Sequence, residues 1–433
     1  AVGCYTGWMT LLRLFCLECA KETLHIHGVH ERNLDLLEDG QRWAQAIGLV
    51  VALIFGLSRI FWSQAVIAEV YSLNALFVAL MLLFTLWATR DFSAGSWPIS
   101  CQGLVAGLAL GNHVTIGLPV AVWLAAVLIR MPVASRAGRL ARALLGIAAG
   151  LLINIYLPLR AAAHPPINWG EPRDWTGFWW AISGQPYRSL AFGLPPSLLS
   201  GRAAAWAALL IQQFGWVGVG LGFVGLIYGA TGARLFVWLS AGIAVVYSVF
   251  ALAYNTADSY AYLVPVYLIF AIWIGLGIER ALHTIERYHT LSLQFVMMLM
   301  FAMVFAWQVP ATARLVDASQ DRHAIDYAAN VLKSAPAHAI IMTASGRDTF
   351  PLWYDQYALG SRPDLVIIVE PLLDFKWYHD TLRRTYPALS LPARAETSWL
   401  ETIMAANGGP GRMCRTNPQG DPQLECEMQG IQP

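Results

Sequence analysis

The chain has 433 residues, of which 57% are hydrophobic and 13% charged, and a net charge of +1. Soluble domains carry about 25% charged residues, so this composition excludes an ordinary soluble domain and reads as a polytopic membrane protein. The near-zero net charge argues against nucleic acid as a partner, while 18 Trp and 16 Tyr suit a chain with many bilayer interfaces.

Residues 1–20 (AVGCYTGWMTLLRLFCLECA) carry no basic n-region, and Arg13 interrupts their apolar stretch. They read as a degraded helix rather than a signal peptide, followed to residue 43 by a cytoplasmic loop. With no initiator Met, the chain reads as a fragment. A zinc site can be drawn from Cys16, Cys19, His25, His27 and His30, but the spacing fits no common site, and a helix remnant with a polar loop is the simpler reading.

Apolar runs follow at 45–63, 70–89, 99–112, 114–130, 143–159, 204–228, 235–253, 261–278 and 291–309. A span needs about 20 apolar residues, which predicts about nine membrane helices between 44 and 310, two of them short. Arg130, Arg136, Arg139 and Arg142 mark one short loop as cytoplasmic. Counting from it places Glu69, the Gly111-Asn112-His113 break, loop 160–203 and Asn255–Tyr260 on the external face, with everything after Pro310 external too. The four Arg of loop 160–203 run against the charge rule, but that loop is long enough for the rule to weaken.

Several external residues can carry chemistry. Glu69 lies at the lip of a membrane helix, where an acid has to face water, a partner or a substrate. It reads as a general base, a metal ligand or a sugar hydrogen-bond acceptor, against an interfacial acid satisfied by solvent or Arg59. Asn112 and His113 sit in a helix break, which is tolerated only where it lines a cavity or is buried in protein. His113 either binds a phosphate oxygen or stabilises the break. In the loop YLPLRAAAHPPINWGEPRDWTGFWWAISGQPYR, Arg160 can grip a phosphate bidentately, and Asn168, Trp169 and Tyr187 are candidate substrate contacts. Trp169, Trp175, Trp179 and Trp180 either stack on a sugar or form a membrane-surface belt, the belt being the simpler reading for any one of them. Asp258 is a further candidate, with helix capping as its simpler role.

From residue 311 the pattern changes. HAIDYAANVLKSA, TFPLWYDQYAL and WYHDTLRRTY read as helices, and AIIMTA and LVIIVE as buried strands. This predicts a small α/β extracytoplasmic unit over 311–390, with Asp348 as a helix cap. A Pro/Gly-rich tail over 391–433 is expected to be poorly ordered. An external Cys414 and Cys426 can form a disulfide. No P-loop, GxSxG, HExxH or dinucleotide fingerprint occurs.

SRIFWSQAVIAEVYSLNALF followed by GLALGNHVTIGLPVAVWLAAVLI resembles the GT-C superfamily of membrane glycosyltransferases. The fuller set, with YLPLRAAAHPPINWGEP, YNTADSYAYLVPVYLIFAIWIGLGIE and DTFPLWYDQY, is similar to the protein O-mannosyltransferase family that includes the animal transmembrane protein 260. The resemblance spans roughly 45–380. It implies a GT-C-like helical fold and transfer of a hexose such as mannose from a polyprenyl-phosphate carrier to a protein or glycan hydroxyl on the extracytoplasmic face. It implies that Glu69, the candidate catalytic residue, matches the acid following the second visible membrane helix pair in such enzymes, that His113 lies near the donor phosphate and that Arg160 is the arginine of a YLPLRA motif. A divalent metal would be the one possible cofactor. The family's earlier external loop, with an AHPPGYP-like stretch and an Asp-Ser-Gly-Glu-like motif whose Asp is the expected catalytic base, is not in this sequence, so the chain is expected to be catalytically incomplete. Two other readings stand beside it: a transporter or flippase of lipid-linked material, which a single helix break without a matching partner disfavours, and a non-catalytic membrane scaffold. Frequent Ala, Arg and Trp read as a high-GC bacterial gene, hence an inner-membrane protein.

Overall fold

The computed structural model describes residues 34–90, 97–130, 133–286, 309–392, 394, 398–407, 412–420 and 423–426. Residues 1–20, the Cys16–His30 set and nearly all of the run at 291–309 lie outside them. The described residues form two compact units. One is built from the stretches up to Asn154 and from Pro186–Asp317, the other from Ile155–Gln185 and from Ala318 onward.

The first unit is helical. Each of the eight earlier apolar runs falls on helical structure, but the expected count of about nine membrane helices is not confirmed among the described residues. Four described helices are long and apolar enough to cross a membrane: Ser135–Ala161, Pro196–Thr231, Arg234–Ala253 and Ser259–Leu282. A fifth is present if Ala44–Gly56 and Arg59–Ala65, bent by 69° against each other, count as one span. Tyr71–Trp87 and Val114–Ala126 are shorter apolar helices, and Trp97–Asn112 has only 16 residues, short of the length a span requires. The bend at Leu57-Ser58 is held from outside, because buried Gln213 Oε1 accepts the freed backbone N–H of Ile60 at 3.0 Å.

Every residue from Ala261 to Ile278 of the helix Ser259–Leu282 is buried, and this stretch forms the centre of the unit. Its sequence is apolar all round, as a helix surrounded by other helices requires. Small residues let its neighbours approach: a Cβ on Gly277 would stand 2.0 Å from the Leu221 carbonyl oxygen. The same device joins Trp97–Asn112 to Val133–Leu151 through Gly103-x-x-x-Gly107 and Gly146-x-x-x-Gly150. A Cβ on Gly107 would lie 2.2 Å from Ile147 O, and one on Gly150 2.4 Å from Leu104 O. Paired small-x-x-x-small runs are a membrane-helix packing signature.

The second unit carries a four-stranded sheet, β1 (Ile340–Thr343), β2 (Val366–Val369), β3 (Met413–Thr416) and β4 (Leu424–Cys426), ordered β2-β1-β3-β4. β1 is parallel to β2 and β3, and β4 runs antiparallel to β3. The expected helices form at His323–Ser334, Gly346–Trp353 and Lys376–Thr385. The expectation of a poorly ordered tail is corrected: a helix at Trp399–Ala406 and two strands come from it, and β3 covers the open side of β1. A disulfide joins Cys414 and Cys426 across the β3–β4 pair.

Asp348 is a capping residue, as expected. Its carboxylate accepts the backbone N–H groups of Ala344 (2.8 Å) and Ser345 (2.7 Å) and the hydroxyls of Ser345 (2.6 Å) and Thr416 (2.6 Å). It therefore ties the end of β1, the following helix and β3 together. Burial by itself would raise its pKa, but these four donors outweigh that and hold it below the ordinary carboxylate value.

Candidate functional site

Four helix ends of the first unit meet at one place. The start of Tyr71–Arg90, the end of Trp97–Asn112, the end of Arg234–Ala253 and the start of Ser259–Leu282 bring Tyr71, His113, Tyr254 and Tyr262 together. The Tyr71 ring lies 5.5 Å from that of Tyr262 and 6.1 Å from that of His113, and His113 lies 5.8 Å from Tyr262. Tyr254 meets Tyr262 edge-on at 5.0 Å. The Tyr262 hydroxyl interacts with those of Tyr254 and Tyr71.

Both candidate acids are within electrostatic reach of this cluster, the charges of Asp258 and Glu69 acting on Tyr71. Glu69 is exposed in the short turn between Arg59–Ala65 and Tyr71–Arg90. Among the described residues no ion pair joins it to Arg59. Asp258 stands at the N-cap position of the Ser259–Leu263 turn but makes no capping bond with its side chain, so the capping role expected for it is corrected and its exposed carboxylate is uncommitted to that turn. Asn112 donates to the Val70 carbonyl oxygen at 3.2 Å, which fixes the helix break against the turn carrying Glu69. Tyr187, half exposed, interacts with Tyr254.

His113 caps its own break. Its Nδ1 accepts the Thr115 backbone N–H at 3.2 Å and lies 2.8 Å from Thr115 Oγ1. An Nδ1 that accepts leaves the neutral ring's proton on Nε2, so the ring stabilises the break with one nitrogen and has a donor on the other.

Arg202 is a site residue that sequence reasoning passed over. Its Nη1 donates to Tyr254 O (3.1 Å) and to Ser259 Oγ, and its Nη2 to Thr256 O (2.7 Å). One guanidinium thus holds both sides of the segment bearing Asp258. A second tie is the Asn255 N–H, donated to Leu190 O at 2.9 Å.

Arg160, Asn168 and Trp169 belong to the second unit. Arg160 is exposed in the last turn of Tyr156–Ala161. Asn168 is buried, and its Nδ2 has no hydrogen-bond partner among the described residues. Trp169 does not stand free: its ring lies 6.1 Å from Trp377 and 6.3 Å from Trp180, and Trp180 meets Phe375 and Trp377 edge-on at 5.2 Å each. Glu171 pairs with Arg173 (2.9 Å) and Arg384 (2.6 Å), fastening this loop to the helix Lys376–Thr385. Trp175 and Trp179 alone of the four loop tryptophans remain well exposed. Among the described residues, no group of three or more His, Cys, Asp or Glu is placed to hold a metal ion.

Residues 11–135 match the protein O-mannosyl-transferase TMEM260 N-terminal domain, and residues 324–402 match TMEM260-associated domain 2. The chain is 26% identical over 382 residues to the mouse protein O-mannosyl-transferase TMEM260, covering 81% of this chain and 52% of that protein. It is 22% identical over 395 residues to the Dictyostelium discoideum protein of the same name, covering 80% of this chain and 48% of that protein. The chain thus spans about half the length of these curated relatives. No solved structure matches it. These findings bear out the resemblance to the transmembrane protein 260 family, and the first matched domain contains Glu69, Asn112 and His113.

Proposed function

We propose that this chain is the part of a membrane O-mannosyltransferase that holds the sugar-transfer site. The observation that carries the proposal is the meeting of Tyr71, His113 and Tyr262 at a common set of helix ends, within electrostatic reach of Glu69 and Asp258. The names of the relatives point to mannose and a protein hydroxyl. The donor is a polyprenyl-phosphate mannose, and the site faces the extracytoplasmic side. The Cys414–Cys426 disulfide supports that side, because such bonds persist in oxidising compartments.

In the transfer, the acceptor hydroxyl oxygen bonds the sugar C1 while its proton passes to the Glu69 carboxylate. The bond from C1 to the phosphate oxygen breaks, and its electron pair leaves with the lipid phosphate. The His113 Nε2–H donates to that departing anion, a stabilisation that grows as charge develops. Asp258 and the tyrosine hydroxyls orient sugar hydroxyls.

The test is transfer of radiolabelled mannose from polyprenyl-phosphate mannose to a Ser/Thr-rich peptide by the full chain in liposomes. Glu69→Gln should lower transfer by about 10²–10⁴-fold, the span of a lost general base, with membrane insertion unchanged. Transfer by Glu69→Gln at the unsubstituted rate removes Glu69 from the site. Absence of transfer by the unsubstituted chain, with transport of a fluorescent polyprenyl-phosphate sugar across the bilayer, turns the reading to a flippase.

A further inference from the structure

The helix Trp175–Ile182 (WTGFWWAI) carries no charge and opens on an Asp174 cap, whose carboxylate accepts the Gly177 N–H at 2.7 Å. Its two faces are unlike. Gly177 and Trp180 are buried, Trp180 against Phe375 and Trp377. Trp175 and Trp179, four residues apart and so on one face, are 75% and 50% exposed, with rings 6.2 Å apart and nearly parallel. Since Gly177 would place a Cβ only 2.2 Å from Glu171 O, the helix is seated too closely to roll, and its tryptophan face is held outward.

Both ends of this segment run into helices long and apolar enough to cross a membrane. The chain leaves Ser135–Ala161 shortly before the helix and enters Pro196–Thr231 shortly after it. The last turns of the first of these expose Ile155, Tyr156 and Leu159. A short, uncharged, tryptophan-faced helix tethered closely on both sides to spans meets the bilayer surface rather than bulk water, because indole rings partition to the headgroup region.

We propose that Trp175–Ile182 is an interfacial helix that inserts Trp175 and Trp179 into the headgroup layer of the bilayer. The partner is the lipid surface itself, and the proposal does not depend on the transfer reaction. Trp175→Cys, Trp179→Cys and, on the same helix, Thr176→Cys are labelled with a nitroxide in the full chain, in a background lacking the other free thiols and reconstituted in phosphatidylcholine vesicles. Labels at 175 and 179 should collide several-fold more often with oxygen than with a water-soluble nickel chelate, and the label at 176 should show the lower ratio of the two faces. Collision dominated by the nickel chelate at all three positions overturns the proposal, as does protection of 175 and 179 by added mannooligosaccharide, which would make the pair a sugar platform. Should the cysteine variants not fold, quenching by dibrominated lipid serves instead. Trp175→Phe/Trp179→Phe should lose a lipid-quenched part of the emission, and an unchanged quenched fraction refutes insertion.

Discussion

Removing Arg202 should loosen the segment that carries Asp258. The guanidinium gives two hydrogen bonds to the carbonyl oxygens of Tyr254 and Thr256 and a third to the Ser259 hydroxyl. A hydrogen bond from a charged group contributes about 1.5–3 kcal/mol net. Arg202 is half-buried and water can replace part of what is lost, so the low end for the two carbonyls and nothing for the hydroxyl gives about 3 kcal/mol. At 1.4 kcal/mol per factor of ten, Arg202→Ala should raise local opening by about 100-fold. Hydrogen exchange followed by mass spectrometry reads this directly at the Asn255 and Ala261 amides, which donate to Leu190 O and Asp258 O. Arg202→Lys should fall between, since an ammonium lacks the planar fork that reaches three oxygens. Unchanged exchange over 254–263 in Arg202→Ala, with the rest of the unit protected as before, would refute the reasoning.

Gly107→Ala puts a Cβ within 2.2 Å of Ile147 O. The two helices must part by roughly 1 Å, at about 1–3 kcal/mol, and melting of the detergent-solubilised chain should show a clear fall; an unshifted midpoint contradicts the packing. Asp348→Asn should destabilise the sheet unit and also flatten its pH dependence. The folded-state pKa of Asp348 is depressed, so its contribution is present above the ordinary value of 3.8 and lost as pH falls below it toward the folded-state value. Exchange protection of β1 measured against pH should drop more steeply in the acid range for the unsubstituted chain than for Asp348→Asn, and parallel curves would exclude the linkage. Asp258→Asn should lower mannose transfer without altering exchange over 254–263, because its side chain makes no capping bond; altered exchange there would make Asp258 structural.

The membrane-helix runs and the α/β elements up to Thr385 were legible because hydrophobic length and period report burial directly. Membrane-span number was not, since Trp97–Asn112 is apolar yet too short, and the turn at Ser58 hides a 69° bend inside one apolar run. β3 and β4 were missed for a different reason. MCRT and LEC are short and half polar, and Pro, Gly and Asn surround them; their partner β1 lies some 70 residues away, a distance over which local pattern carries no information. At the candidate site, the acids and the histidine showed through because charge in an apolar context is conspicuous. Tyr71, Tyr254 and Tyr262 did not, as tyrosines at helix ends look like any interfacial belt. Arg202 counted only toward topology, because nothing near it in sequence reveals that its acceptors are the carbonyls of a loop 50 residues on.

The matched domain that ends at residue 402 stops before β3. A fragment cut at that boundary would keep β1 and β2 while leaving the other side of β1 with its N–H and C=O groups unpaired, a bare edge of Ile340, Ile341 and Met342 open to strand addition from another copy. The Asp348 carboxylate would lose Thr416 in the same cut. That side of β1 likewise stays unpaired in the growing polypeptide until Met413–Thr416, some 70 residues further on, has been made, so sheet closure, and with it the Cys414–Cys426 bond, waits on a distant strand.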